Sequence, residues 1–198
     1  MDFRALVVIM MSAVLVNNYV LRQFLGVCPF LGVSKDIKSS VGMGLAVTFV
    51  MVMAASVTWP IHYYLLDSGG LGFMQTVVFI LVIATLVQIV EIALKRYAPA
   101  LFASLGVYLP LMTTNCAVLA VTISNVNKGY SYIEALVSAF GAGFGFFLAM
   151  VIFTGVRSTL AAADPPESFK GVPITLISAA ILSMAFFAFE GVIENLFG

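Results

Sequence analysis

Charged residues are scarce in this chain. Only nine Lys or Arg and nine Asp or Glu occur among 198 residues, so charged residues make up 9% and the net charge is zero. A typical soluble domain carries about 25% charged residues, and a nucleic-acid-binding protein needs a basic face to hold phosphates. The composition therefore excludes an ordinary soluble globule, a disordered chain and a nucleic-acid-binding protein.

Cysteine and histidine are also rare. The only two cysteines, Cys28 and Cys116, are too few for a disulfide-stabilised scaffold. The single histidine, His62, is predicted to lie at a membrane interface far from both cysteines. Because neither a Cys–His pair nor a Ser–His–Asp triad is then expected, the sequence argues against a self-contained hydrolase.

Apolar residues, by contrast, fill most of the sequence. They make up 62% of the residues, and the mean hydropathy is +1.13. A membrane-spanning helix needs about 20 mostly apolar residues. Six such stretches occur, at residues 3–34, 39–59, 71–94, 101–124, 132–157 and 172–196. The sequence thus predicts an all-α integral membrane protein with six transmembrane helices in a single membrane domain, residues 1–198.

The first apolar stretch is too long for one simple helix. Residues 3–34 would extend about 48 Å as a continuous helix, whereas the hydrocarbon core is about 30 Å thick. A steep tilt is one interpretation. A broken or re-entrant helix is favoured, because Gly26, Pro29 and Gly32 cluster inside the stretch. Asn17 and Asn18 are then expected to hydrogen-bond backbone groups that the break leaves free.

The two halves of the chain share three patterns. A Cys-x-x-Leu-small-Val-hydroxyl pattern begins at Cys28 and again at Cys116, 88 positions later. A Ser-x-x-Gly-x-Gly pattern at 39–44 returns at 138–143, at an offset of 99, and Glu91 and Glu190 share that offset. Each glycine pattern lacks the strand–turn–helix context of a nucleotide site, so close helix packing is the better interpretation.

This repetition predicts an inverted repeat. Each half, about 1–97 and 98–198, holds three predicted spans, so the halves enter the membrane from opposite sides. Folds of this kind place their sites near the midplane, where broken helices meet. We therefore expect broken helices at the first and fourth spans, with Cys28 and Cys116 near each other.

Paired cysteines leave three kinds of site open. A disulfide, half of a structural zinc site and half of a four-thiolate [2Fe–2S] site all fit two thiols. Either metal site would need further ligands from a partner. Small or polar neighbours could donate hydrogen bonds to the sulfurs, or could cap the helix break instead. These candidate supporting residues are Gly26, Thr113, Thr114 and Asn115.

Two glutamates lie within predicted spans. An intramembrane carboxylate is costly and is often functional. Glu91 precedes Lys95 by four residues, however, so local pairing also accounts for it. A secondary transporter that binds its ion at Glu91 or Glu190, with no redox role, is the main alternative function. A purely structural scaffold is a third.

The basic residues predict the orientation. With six spans, both termini lie on one side of the membrane. The opposite side holds six cations, and the terminal side holds only Arg4 and Lys128. The six are Lys35, Lys38, Lys95, Arg96, Arg157 and Lys170. The positive-inside rule then places both termini outside the cytoplasm.

Two segments around the cysteines resemble a known family. Residues 16–35 read VNNYVLRQFLGVCPFLGVSK, and residues 106–119 read GVYLPLMTTNCAVL. Both are similar to the A-type membrane subunit of the Rnf complex, an ion-translocating ferredoxin–NAD oxidoreductase. They are also similar to its relative, the E-type subunit of the sodium-translocating NADH–quinone reductase. The resemblance covers essentially the full length of the chain.

The resemblance implies a role in a membrane redox complex. Such a subunit is part of a translocase and is not catalytic alone. It pairs with the homologous E-type membrane subunit of the Rnf complex, of opposite topology, and each supplies two cysteines to one intramembrane [2Fe–2S] cluster. Here those ligands match Cys28 and Cys116. The cluster relays electrons across a bacterial or archaeal cell membrane, and this transfer is coupled to Na⁺ or H⁺ transport.

Overall fold

The computed structural model describes residues 3–34, 36–66, 72–97, 114–163 and 166–197. It gives the backbone alone for 188–197 and for Phe3, Ala5, Leu15, Val16, Leu94, Ala161 and Glu167. Every regular element in these ranges is helical, and they contain no strand. The α-helices are α1 (Phe3–Met11), α2 (Val27–Val33), α3 (Ile37–Ile61), α4 (Gln75–Tyr97), α5 (Cys116–Asn127), α6 (Tyr132–Ala162) and α7 (Val172–Phe197). Short π- or 3₁₀-helical segments are Ser12–Val16, His62–Leu66, Gly72–Met74 and Glu167–Phe169. The prediction of an all-α protein is confirmed over the described residues.

Among the described residues, three helical segments are long and apolar enough to cross a membrane. They are Ile37–Leu66, Gly72–Tyr97 and Tyr132–Leu160, with 30, 26 and 29 residues. Cys116–Asn127 and Val172–Phe187 are shorter apolar helices. The three long segments correspond to the predicted second, third and fifth spans. The first half of the predicted fourth span, up to Thr113, lies outside the described residues.

The predicted end of the second span is wrong. Helix continues past Trp59 through Pro60, and a π-helical segment carries it on to Leu66. Proline removes one backbone hydrogen bond and crowds the preceding turn. The wider π-helical turn that follows keeps the chain helical beyond this point.

Helical structure in the first stretch is interrupted, so the steep-tilt interpretation is wrong. The π-helical segment ends at Val16, and α2 begins only at Val27. Gly26 lies at the end of this break, as the sequence predicted, whereas Pro29 and Gly32 lie inside α2. Pro29 fits inside α2 because it is the third residue of the helix, where its missing N–H has no intrahelical partner to lose.

Asn18 stabilises the interrupted segment, as the sequence predicted for a helix break. Its Oδ1 accepts hydrogen bonds from the N–H groups of Val20 at 3.0 Å and Leu21 at 3.3 Å. Its Nδ2 donates to the Gly145 carbonyl of α6 at 2.9 Å. Because the side chain is only 2% exposed, these bonds satisfy backbone groups that water does not reach. Asn17 instead accepts a bond from Arg22.

Helices α3 and α6 form the most extensive pair among the described helices. Their glycines allow the close approach. A Cβ atom on Gly44 would lie 2.6 Å from Cδ2 of Phe147, and one on Gly143 would lie 2.8 Å from Cα of Thr48. The interpretation of the glycine patterns as packing positions is therefore confirmed at these two residues. The surrounding core is built from large buried side chains of both helices, including Met43, Met51, Phe146, Met150 and Phe153.

Candidate thiol site at the meeting of two short helices

Both cysteines lie at the beginning of a short helix. Cys28 is the second residue of α2, which has seven residues, and Cys116 is the first residue of α5, which has twelve. The first N–H groups of a helix have no intrahelical partner, and the helix dipole is positive at that end. Both cysteines therefore lie at the end of a helix where the first N–H groups need partners from outside that helix.

The structure joins the two cysteine segments directly. The backbone N–H of Gly26 donates a hydrogen bond to Sγ of Cys116, with a donor–acceptor distance of 2.8 Å, across 90 residues of chain. Gly26 immediately precedes α2, two residues before Cys28. The backbone that leads into α2 thus contacts Cys116, whereas the predicted proximity of Cys28 and Cys116 themselves stays a prediction.

Gly26 satisfies two requirements of this contact. Its φ of +81° lies in the left-handed region, which residues other than glycine rarely adopt. A Cβ atom there would also lie 3.0 Å from Cε2 of Phe146, 3.1 Å from Cβ of Ala117 and 3.1 Å from Oδ1 of Asn115. The site thus depends on the absence of a side chain at position 26.

Asn115 caps the start of α5. Its Oδ1 accepts a hydrogen bond from the N–H of Ala117 at 3.0 Å, and its backbone carbonyl accepts one from Val118 at 3.2 Å. The residue is 4% exposed, and its Nδ2 has no hydrogen-bond partner in the described part of the chain. A buried polar donor is therefore left over beside Cys116.

The opposite end of α2 is held by Arg157 of α6. Nη1 of Arg157 lies 2.8 Å from the Leu31 carbonyl and 2.8 Å from Oγ of Ser34. A cation at a helix C-terminus also interacts favourably with the dipole. The ring of Phe30 stacks on that of Phe153, with 4.2 Å between centroids. These contacts fix the short helix that carries Cys28 against α6.

Sequence reasoning missed Arg157 and Phe146. Arg157 was counted only among the cytoplasmic cations, and Phe146 only as an apolar residue of a span. An arginine near the end of an otherwise apolar run was the available signal, because such a cation needs acceptors. Phe146 carried no signal, since its position against Gly26 depends on how α6 packs.

The remaining predicted residues lie elsewhere or beyond the described ranges. Thr113 lies outside them, and Thr114 is exposed. Glu91 lies on α4, one helical turn before Lys95, and is half-buried. For Glu190 only the backbone within α7 is described.

A separate cavity of about 380 Å³ lies at the other end of α5. Trp59, His62, Tyr130 and Glu134 are among its lining residues. Burial raises the pKa of Tyr130, and the negative charge of Glu134 adds to that rise. Because α5 has twelve residues, this cavity lies about 18 Å along the helix from Cys116. The lone histidine is therefore remote from Cys116, as the sequence predicted.

The two thiols leave both predicted metal sites open, since either would still need ligands from a partner. Both cysteines are free, so they form no disulfide. Cys28 is exposed and Cys116 is partly exposed, so both sulfurs remain accessible to a further group. Among the described residues, no group of three or more Cys, His, Asp or Glu side chains could hold a metal ion. The described residues therefore supply at most two thiolate ligands, with N–H donors beside one of them.

Comparison with known proteins identifies the family. The Rnf-Nqr family, described as "Rnf-Nqr subunit, membrane protein", matches residues 6–193. The A-type subunit of the ion-translocating oxidoreductase complex of Syntrophotalea carbinolica is 51% identical over 190 residues, which cover 96% of this chain and 98% of that protein. The A-type subunit of the Na(+)-translocating ferredoxin:NAD(+) oxidoreductase complex of Acetobacterium woodii is 50% identical over 186 residues, 94% of this chain and 97% of that protein. The corresponding protein of Edwardsiella ictaluri is 46% identical over 94% of this chain and 96% of its own length. The chain therefore belongs to the Rnf-Nqr family of membrane subunits, as the motifs around its two cysteines predicted.

Proposed function

We propose that this chain is a membrane subunit of an ion-translocating ferredoxin–NAD oxidoreductase complex. In this role it carries electrons through an intramembrane [2Fe–2S] cluster, and Cys28 and Cys116 are two of the four cluster ligands. The chain is not catalytic alone, because donor and acceptor sites belong to other subunits. The names of its relatives support this proposal. The geometry of the thiol site is a second, independent line of support.

One observation carries the proposal. The hydrogen bond from the Gly26 N–H to Sγ of Cys116 brings together two cysteine motifs from opposite halves of the sequence. A cluster sulfur ligand typically receives such backbone donors, which tune its potential. A cysteine that served only as a small apolar filler would need neither the bond nor the glycine that makes it.

The cluster is proposed to be shared with a homologous subunit. An all-cysteine [2Fe–2S] cluster needs four thiolates, and this chain has two. Cys28 is exposed on the chain surface, where a second protein could reach the same group. The resemblance to the Rnf family implies that the partner is the E-type membrane subunit of the Rnf complex, which has the opposite orientation in the membrane.

An inverted repeat is proposed for the whole chain, with six spans and broken helices at the first and fourth. Two contacts between α3 and α6 support it. At the offset of 99 residues, Gly44 corresponds to Gly143 and Thr48 corresponds to Phe147. Gly44 packs on Phe147, and Gly143 packs on Thr48, so each contact is the counterpart of the other. Such reciprocity is what a two-fold relation between the halves would produce.

The position of Cys116 supports an intramembrane site. Helix α5 begins at Cys116 and ends at Asn127, so Cys116 lies about 18 Å from that end. That distance is about half of the roughly 30 Å hydrocarbon core. Helix α2 begins directly after Gly26, which contacts Cys116. The two short helices thus begin where the repeat axis is proposed to lie.

The residues of the chain have distinct tasks in this site. When bound, the cluster would supply a one-electron relay between redox centres on the two sides of the membrane. Gly26 donates its N–H to Cys116, and α2 and α5 carry the two cysteines at their N-terminal ends. Phe146 closes the space beside Gly26 with an apolar ring, which keeps water from that side.

The proposed orientation places both termini on the non-cytoplasmic side of a bacterial or archaeal cell membrane. It rests on the six cations of the opposite side, as counted from the sequence. Electron transfer is proposed to be coupled to Na⁺ or H⁺ movement. The Acetobacterium woodii relative is named as Na(+)-translocating, which makes Na⁺ the first ion to assay.

The proposal is tested on the assembled complex. Cys28→Ser and Cys116→Ser should each abolish ferredoxin-driven NAD⁺ reduction while the protein stays in the membrane, because serine is nearly isosteric and costs little packing. Thr122→Ser is the control, since it makes an equally small change at a buried position of the same helix α5. Full electron transfer in both cysteine variants would contradict the proposal.

A further inference from the structure

The unpartnered Nδ2 of Asn115 points to a further residue that acts on the thiol site. We propose that this N–H group donates a hydrogen bond to the sulfur shell of the cluster beside Cys116 and raises its reduction potential. Asn115 would then be a positioning and tuning residue. The inference rests on the proposed function, because it needs a sulfur cluster at the cysteines.

The orientation of the Asn115 carboxamide follows from its cap contact. The atom near the N–H of Ala117 must be an acceptor, so it is Oδ1. The other terminal atom is therefore Nδ2, a donor of two hydrogens. It is buried and unbonded within the described ranges, and a buried donor without an acceptor is destabilising. Such a donor needs an acceptor that the described residues do not supply.

The carboxamide borders the thiol site. Its Oδ1 lies 3.1 Å from the position that a Cβ of Gly26 would take. Gly26 in turn donates its N–H to Sγ of Cys116, the residue next to Asn115. Asn115 is 4% exposed, so water is a poor candidate for the missing acceptor. Sulfur atoms of a group held by Cys116 would supply such an acceptor.

The sign of the effect follows from charge. Reduction adds one negative charge to the cluster, and a hydrogen-bond donor stabilises the more negative state. Donors to the sulfurs therefore raise the potential. Removal of the Asn115 donor should lower it.

The test is a redox titration of the intact complex, followed by the EPR signal of the cluster. Asn115→Ser keeps a good N-cap and removes the carboxamide donor. We expect the equilibrium constant for reduction to fall about tenfold, which is about 59 mV for a one-electron couple. Asn115→Asp also keeps the cap, and its added negative charge should lower the potential further.

Asn125→Ser is the matched control. Asn125 is also buried on α5, where its Nδ2 donates to the Ala135 carbonyl at 3.1 Å, nine residues after Cys116. This control should leave the potential unchanged, because it removes a carboxamide about 14 Å away along the helix.

Three outcomes would overturn the inference. The potential of Asn115→Ser could equal that of the unmodified complex, or Asn125→Ser could shift it equally. Assembled complexes of both Asn115 variants could lack the cluster, which would make Asn115 a structural cap and nothing more. If the unmodified complex has no EPR signal that depends on Cys28, the proposed function fails as well, and this result is distinct from an unshifted potential.

Discussion

Gly26 is the residue on which the thiol site depends most. Its left-handed φ and its close neighbours are separate constraints, and they can be separated by substitution. Gly26→Ala should lose about 1–2 kcal/mol through backbone strain and a further 1–3 kcal/mol or so through overpacking. The thermal unfolding midpoint of the purified complex should fall accordingly.

Gly129→Ala supplies the matched control. Gly129 also has a positive φ, of +63°, but a Cβ there meets nothing within 4 Å. It should therefore show the strain without the overpacking, and its unfolding midpoint should stay above that of Gly26→Ala. Equal midpoints for the two variants would show that the space beside Phe146 does not need a glycine.

Sequence patterns alone proposed several residues of the candidate site. The repeat singled out the pair Cys28 and Cys116 together with Gly26 and Asn115, because small and polar residues next to a rare cysteine stand out in an apolar chain. The same patterns could not decide between a sulfur donor and a helix cap for Asn115. The structure gives Oδ1 of Asn115 the capping role and leaves Nδ2 free of partners among the described residues.

At the scale of single elements, α2 is the piece that needs support. A helix of seven residues is far too short to be stable alone. The Arg157 side chain bonds its C-terminal end at Leu31 and Ser34, and Phe30 stacks on Phe153. These contacts hold Cys28 in place. Both partner residues, Arg157 and Phe153, belong to α6.

Loss of the Arg157 side chain should loosen α2. Arg157→Gln removes the charge and shortens the reach, and hydrogen bonds from charged groups contribute about 1.5–3 kcal/mol. Amide hydrogen exchange over residues 27–34 should therefore become faster in the assembled complex. Arg157→Lys keeps the charge but lacks the planar fork of the guanidinium group. Its exchange rate should lie between those of Arg157→Gln and the unmodified complex.

Ser158→Ala is the control for this measurement. Ser158 is exposed and bonds only the Gly155 carbonyl of its own helix at 2.7 Å. Amide hydrogen exchange over residues 27–34 in the Ser158→Ala complex should match that of the unmodified complex. Unchanged exchange in Arg157→Gln would mean that Arg157 does not hold the C-terminus of α2.

The interrupted first stretch shows how far an element can be predicted. Length against bilayer thickness correctly indicated a broken helix. Gly26 marked the end of the break, but Pro29 did not locate it, because a proline fits the first turn of a helix as well as it fits a break. The actual break depends on Asn18, whose bond to Gly145 crosses 127 residues and cannot be found from local sequence.

At the scale of the whole molecule, the α3–α6 contact joins the two sequence halves. Gly143→Ala would place a Cβ 2.8 Å from the Cα of Thr48, and a backbone atom cannot move aside cheaply. Gly44→Ala would mainly meet the Phe147 ring, which can rotate in part. We therefore expect a larger drop in the unfolding midpoint for Gly143→Ala than for Gly44→Ala.

Gly155→Ala is the control on the same helix. A Cβ at Gly155 meets nothing within 4 Å, so the substitution should stabilise α6 by about 0.5–1 kcal/mol through helix propensity. A similar loss of stability in Gly155→Ala and Gly143→Ala would contradict the close approach of the two halves. The glycine patterns predicted close helix packing from sequence, whereas the partner residues and the unequal cost at the two glycines required the structure.

The six-span arrangement could be predicted only as a count of apolar stretches. Three long helices match it directly. The shorter helices α2 and α5 do not span alone, and their role becomes clear only where Gly26 meets Cys116. Hydropathy reports how many residues are apolar, but it does not report that two short helices begin at one point inside the protein.

The most direct test of the central claim is the EPR spectrum of the reduced complex with and without the thiols. The unmodified complex should show a [2Fe–2S] signal from an intramembrane site, and Thr122→Ser should retain it. Cys28→Ser and Cys116→Ser should each remove that signal or shift its potential drastically, since each removes one of four ligands. An unaltered signal at an unaltered potential in both cysteine variants would show that this chain does not hold the cluster.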